Sequence, residues 1–213
     1  MRNGMSETDR KKKRRRRRIQ VVFLYVAIAV GLAWFFESQA TTTIIFVRHA
    51  EKTATPTDDP DLSEAGRRRV AELTRQLADA DVVAGVDAIY STPYKRTMET
   101  ARPLAEALDL PIYRYDPDDN EAVLETILKE HKGKIILVVG HSDTIPGLIA
   151  DLGASKKVPP IDDMEYDNIY VISIPWFGKT KTIRLRYGEP YVPTGDAGNN
   201  MQRTPPAPPD TTE

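Results

Sequence analysis

Eighteen consecutive residues without a charge, Ile19 to Phe36 (IQVVFLYVAIAVGLAWFF), follow directly on the eight basic residues Lys11 to Arg18. As a helix rising 1.5 Å per residue, such a stretch is roughly 27 Å long, close to the hydrocarbon thickness of a bilayer. A segment apolar on every face lies either in lipid or wholly inside protein, and a flanking basic run suits a membrane boundary better than a core. The run Lys11–Arg18 also has the composition of a nuclear-localisation or nucleic-acid segment, but its position flush against the apolar stretch makes topology the simpler explanation. Positive charge stays on the cytoplasmic side. Residues 1–18 are therefore expected to be a basic cytoplasmic leader and 19–36 a transmembrane anchor or signal h-region. The chain after residue 36 is then expected outside the cytoplasm, in a periplasm or at a cell surface. The small residues Ser38 and Ala40 have the spacing of a signal-cleavage site before Thr41, which would give a secreted product. A span longer than the usual h-region of about 7–15 residues, and the bulky Trp34-Phe35-Phe36, favour an uncleaved single-pass anchor.

The leader also hides a charge asymmetry. Ten of the 30 basic and two of the 31 acidic residues fall in the first 18, leaving 20 basic against 29 acidic side chains in the rest. A body of that sign excludes a general nucleic-acid binder, which works by neutralising phosphates with cations. The absence of cysteine excludes disulfides and thiol nucleophiles. With 40% hydrophobic residues, the chain can bury one good core.

From residue 42 to 188, short β-branched runs alternate with helical periods, the pattern of an α/β fold. Strands are expected at Thr43–Val47, Ala88–Ser91, Ile112–Tyr115, Ile135–Gly140, Ile169–Ile174 and Thr182–Tyr187. The first helix of the body starts at the N-cap Ser63 and sets Val70, Leu73 and Leu77 on one face. A second carries Met98, Ala101, Ala105 and Leu108. A third covers Asn120–His131, and a fourth runs from near Asp143 to before Gly153, with Pro146 harmless in its first turn. These lengths suit βαβ crossovers and a three-layer sandwich, a mostly parallel sheet flanked by helices, preceded by one transmembrane helix. Residues 189–213, rich in Pro with Thr, Asp, Asn and Gly, read as a disordered tail.

Ligands of open parallel sheets bind at the carboxyl ends of strands. There the first strand ends in Arg48-His49, the second leads through Ser91-Thr92-Pro93 to Arg96, and the fourth ends in Gly140-His141-Ser142. Two of the three histidines and two arginines thus converge on one edge.

At these residues the chain resembles the histidine phosphatase superfamily, also called the phosphoglycerate mutase-like family. The resemblance rests on Phe46-Val47-Arg48-His49-Ala50-Glu51, a form of R-H-G-E, on Leu62-Ser63-Glu64-Ala65-Gly66, on Tyr90-Ser91-Thr92-Pro93-Tyr94-Lys95-Arg96-Thr97 with Thr100-Ala101, and on Val139-Gly140-His141-Ser142. It covers most of the body, from Thr43 to Tyr187. It implies a phosphoglycerate mutase-like fold and a phosphatase with His49 as nucleophile, Arg48, Arg96 and His141 gripping the phosphoryl group, and Ser142 beside them. A neutral imidazole can approach a phosphate dianion, and two guanidiniums with an imidazolium can stabilise the equatorial oxygens without a metal or other cofactor. Two positions depart from the pattern: Thr55 stands where the family often has Asn, and Ala50 where Gly is frequent. A general acid is expected in the segment Asp116-Pro117-Asp118-Asp119-Asn120-Glu121. Glu121 and Asp116 rank first, with Asp143 as an alternative.

Other readings are weaker. Gly140-His141-Ser142-Asp143-Thr144 has the look of a serine-hydrolase elbow, but Thr144 replaces its second Gly and no histidine follows Ser142. The interval from Arg96 to Ile135 is too short for the capping insertion of the mutases, and an open pocket admits water, which favours hydrolysis. A non-catalytic anchored module would not need Arg48, His49, Arg96 and His141 together. His131 reads as a surface or packing histidine, and the cluster Asp162, Asp163, Glu165 and Asp167 as a loop without EF-hand spacing. Expected partners are the membrane, through Ile19–Phe36, and a phosphorylated small molecule, glycan, lipid or protein as substrate.

Overall fold

The computed structural model describes residues 7–38, 41–54, 58–79, 85–154 and 157–193. The first six residues, the cleavage position Ala40, the departure at Thr55 and the tail from residue 194 onward lie outside the described residues. Helix α1 (Glu7–Ser38) joins the basic run and the apolar stretch in one continuous helix. The described large apolar side chains along it are 46% to 75% exposed, so it packs into no core of this chain. By length and composition it can cross a membrane, and a signal sequence meets the same description.

Six strands follow: β1 (Thr42–Arg48), β2 (Ala88–Ser91), β3 (Ile112–Arg114), β4 (Ile135–Gly140), β5 (Asn168–Ile174) and β6 (Lys181–Arg186). They interleave with α2 (Glu64–Ala78), α3 (Lys95–Leu108), α4 (Asn120–Glu130) and α5 (Ile145–Asp151). The sheet order is β3-β2-β4-β1-β5-β6. The first four strands are mutually parallel; on the far side of β1, β5 runs antiparallel to it and β6 antiparallel to β5.

Alternation along the strands decides the layering, because successive side chains point to opposite faces. Ile44, Phe46, Ile136 and Val138 pack with Leu124 and Ile127 of α4 and Leu148 of α5. Ile45, Val47, Leu137 and Val139 pack with Leu73 of α2 and Leu104 of α3. Covering both faces makes the expected three-layer α/β sandwich and leaves the carboxyl ends of the parallel strands as the open edge.

Local signals behave as their chemistry requires. The Ser63 hydroxyl caps α2 by accepting from the Gly66 N–H at 3.1 Å. Gly66 has no alternative, since a Cβ there would lie 2.2 Å from the Glu51 carbonyl oxygen. Helix α5 starts two residues later than the Asp143 expected, because residues 142–144 form a turn after His141.

Candidate active site

Strands β1 and β4 are parallel neighbours with Arg48 opposite Gly140, so the residues that follow leave the sheet side by side. The His49 amide donates to the Gly140 carbonyl at 3.0 Å. The imidazoles of His49 and His141 meet edge to face with ring centroids 5.5 Å apart. Both are buried, at 4% and 9% exposure.

Hydrogen bonds assign the tautomers. Nδ1 of His49 lies 2.8 Å from the Ala50 carbonyl, which can only accept, so Nδ1 carries the proton and the Nε2 lone pair is available. Thr100 supports this turn: its hydroxyl accepts from the Ala50 N–H at 3.0 Å and donates to the Arg96 carbonyl at 2.7 Å. The Thr97 hydroxyl faces two carbonyls, of Thr92 at 3.0 Å and Tyr94 at 2.8 Å, and its single proton goes to them. The Thr92 hydroxyl, 2.8 Å from that of Thr97, must then donate to it. Nε2 of His141, 2.9 Å from the Thr92 oxygen, is left as donor.

Two arginines flank the rings. Arg48 donates from Nη1 to the carbonyls of Asp162 at 2.7 Å and Glu165 at 3.1 Å, and its guanidinium lies 4.2 Å from the centre of the Tyr166 ring. Arg96, in the first turn of α3, lies 4.5 Å from the centre of the Tyr94 ring and 3.8 Å from Asp59. The two tyrosines also abut the histidines, Tyr166 against His49 at 5.9 Å and Tyr94 against His141 at 5.3 Å. The buried Nε atoms of Arg48 and Arg96 have no hydrogen-bond partner among the described residues.

Burial, then the charges of Arg48, His141 and Arg96, depress His49 to about 3, against the opposing hydrogen bond to Ala50. Burial and the Arg96 charge, partly offset by Asp143, bring His141 to about 4. His141 is therefore neutral at pH 7 with only protein groups around it, where an imidazolium is expected from the sequence. A phosphate dianion would supply the counter-charge that favours its protonation. Burial also lowers Arg48, against the charges of Tyr166, Asp163, Asp143 and Asp162.

The carboxylates separate. Asp143 is exposed and near enough for its charge to act on both His141 and Arg48. Glu121 is exposed in the first turn of α4 and lines a surface depression with Leu124, Glu125 and Asp151. Asp116 is exposed past the end of β3, where it accepts from the Asp118 N–H at 3.0 Å. Ser142 is half-buried in the turn after His141. Among the described residues, no cluster of His, Asp and Glu suits a metal ion.

The acidic cluster is indeed a loop, but half of it is buried. Asp167 is 0% and Glu165 8% exposed, and Arg186 neutralises both, at 2.7 Å and 3.2 Å. Its backbone carbonyls and Tyr166 form one wall of the site, a role that acidic composition conceals. His131 packs beside Tyr113, with Nε2 3.0 Å from the Tyr90 hydroxyl, as a packing histidine should. Tyr94, Thr92, Thr97 and Thr100 stand inside the quoted motif, which was the only sequence signal for them.

The family model of the histidine phosphatase superfamily, branch 1, matches residues 44–118 and includes Arg48, His49 and Arg96. Over these residues the α/β domain is similar to that superfamily. Phosphoserine phosphatase 1 of Hydrogenobacter thermophilus is 39% identical over 79 residues, 34% of this chain and 36% of the relative. The match thus spans about a third of the length of that curated relative. Among solved structures, the protein histidine phosphatase SixA complexed with tungstate superposes with a TM-score of 0.55 at 17% identity, covering 68% of this chain and 96% of SixA. A mycobacterial glucosyl-3-phosphoglycerate phosphatase does so at 0.50 and 16%, covering 62% and 90%. These two likenesses show the fold.

Proposed function

We propose that the protein is a membrane-anchored phosphatase that hydrolyses phosphomonoesters through a phosphohistidine on His49. The observation that carries this reading is the pair of neutral, facing imidazoles between two arginines whose buried Nε–H groups have no protein partner. The partial likeness to phosphoserine phosphatase 1 supports a phosphomonoester as substrate class.

In the first step the Nε2 lone pair of His49 forms a bond to phosphorus as the bond to the ester oxygen breaks. Arg48 and Arg96, with His141 once the phosphate dianion has favoured its protonation at Nδ1, donate to the equatorial oxygens, where charge is spread in the transition state. The departing alkoxide takes a proton from a carboxyl group. In the second step water attacks the phosphohistidine, the P–N bond breaks, and the water proton passes to that carboxylate. Of the three carboxylates raised by the sequence, Asp143 has the best support, since its charge bears on His141 and Arg48. Glu121 and Asp116 would have to act from α4 and from beyond β3.

A second reading, hydrolysis of phosphohistidine or another activated phosphate, is favoured by one observation. No carboxylate among the described residues is hydrogen-bonded to His49 or His141, and a good leaving group needs no acid.

The α1 helix supports a single-pass anchor with the catalytic domain outside the cytoplasm, and cleavage after Ala40 would instead release it. The test is turnover of a phosphomonoester panel by the full chain in detergent, with acid-quenched trapping of labelled phosphoenzyme. Activity that survives EDTA, with label absent from His49→Ala, is expected. Wild-type-like turnover by His49→Ala would end the nucleophile assignment.

A further inference from the structure

The loop between β5 and β6 carries an exposed aromatic pair, Trp176 at 52% and Phe177 at 84% exposure, followed by the exposed Lys179 and Lys181. Nothing in the catalytic edge uses it. Its position follows from the sheet: in the antiparallel pairing of β1 with β5, Thr42 stands opposite Ile174, so the loop projects beyond the amino-terminal end of β1. That end is tied to α1, because only three residues separate Ser38 from Thr42, a reach of about 15 Å or less. Phe35 of α1 meets Trp176 edge to face with centroids 6.3 Å apart, and Thr41 borders the same depression as Phe177, Lys179 and Lys181.

We infer that the tip Trp176-Phe177 is a second membrane contact, seated in the bilayer interface beside the end of α1, with Lys179 and Lys181 facing lipid phosphates. This rests on the reading of α1 as an anchor. Trp at the headgroup level and Lys just outside it is the distribution that the interface favours, and Trp34 and Phe35 extend the same belt on α1. The contact also orients the enzyme. Strand β1 runs seven residues from the tethered Thr42 to Arg48, roughly 20 Å, so His49 and His141 open on the side away from lipid and receive substrate from the water.

The chain has two tryptophans, one on each element, and no cysteine. Trp34→Phe leaves Trp176 as reporter of the tip, and Trp176→Phe leaves Trp34 as reporter of the anchor. The full chain is reconstituted in phosphatidylcholine–phosphatidylglycerol vesicles whose acyl chains are brominated near the carbonyl. The expected result is at least about a twofold loss of emission from each reporter. Quenching of Trp34 with Trp176 untouched overturns the tip contact and leaves the anchor standing. Quenching of neither overturns both. A second probe avoids the tryptophans: Phe177→Cys, labelled with an environment-sensitive dye, should be shielded in vesicles from iodide in the water. Iodide quenching as strong as that of the free dye overturns the contact.

Discussion

Thr92→Val replaces a hydroxyl by a methyl of the same shape at a position that is 0% exposed. The variant leaves two buried polar groups short of a partner: the Nε2–H of His141, which donates to Thr92 at 2.9 Å, and the Thr97 oxygen, which accepts from it at 2.8 Å. At about 1–3 kcal/mol for each orphaned group, the loss is roughly 2–6 kcal/mol, and Tm should fall by roughly 4–24 °C in a domain of this size. The catalytic effect is separate. Without Thr92 the His141 ring loses the bond that sets its tautomer and orientation, and misplacement of one phosphate ligand should cost on the order of 10²-fold in kcat. Thr92→Ser restores the hydroxyl and should recover most of both losses. Thermal melts of the full chain in detergent and kcat on p-nitrophenyl phosphate measure the two effects, and histidine nitrogen NMR reports the tautomer directly. A valine variant that melts within about 1 °C of wild type and turns over within about threefold would refute the relay from Thr97 through Thr92 to His141.

Stability should depend on pH through the two histidines. Their folded values of about 3 and about 4 lie below the ordinary 6.5, so below pH 6.5 the unfolded chain takes up protons that the folded one refuses. Their contribution is therefore intact above about pH 6.5 and is lost towards pH 4, by up to about 1.4 kcal/mol per pH unit for each histidine. Urea unfolding from pH 7 to 4 should show this slope reduced in His49→Gln; an unchanged slope would assign the titration elsewhere. Arg96→Ala should lose on the order of 10²–10³ in rate, the scale for removing one transition-state donor, and a loss under about tenfold would remove Arg96 from the site. Asp143→Asn should slow alkyl phosphates by about 10²-fold while sparing p-nitrophenyl phosphate. The same selective loss in Glu121→Gln or Asp116→Asn would transfer the acid role to that residue, and no selective loss in any of the three would leave activated phosphates as the substrate class.

Much of this architecture follows from short-range pattern. Continuous runs of Ile, Val, Leu and Phe, apolar on both faces, suit β1 and β4 to the middle of the sheet, and the polar residues that end them, Arg48-His49 and Gly140-His141, are thereby delivered to its carboxyl edge. Ser63 caps its helix, Gly66 fits against Glu51, and an uncharged stretch long enough for a bilayer declares itself, because each signal is carried by neighbours in the chain. What only the tertiary structure decided lies across long separations. Arg48 is held by carbonyls 114 and 117 residues away, and a carbonyl acceptor leaves no mark in the side-chain sequence. Glu165 and Asp167 read as a solvated loop until folding brings Arg186 against them. The tautomers of His49 and His141 depend on which neighbours already spend their protons, and the depressed pKa values depend on burial that no local window contains. The Trp176-Phe177 tip acquires a position only through the register of β5 on β1. Propensity and periodicity act over a few residues, whereas hydrogen-bond direction, desolvation and strand register are properties of the assembled chain.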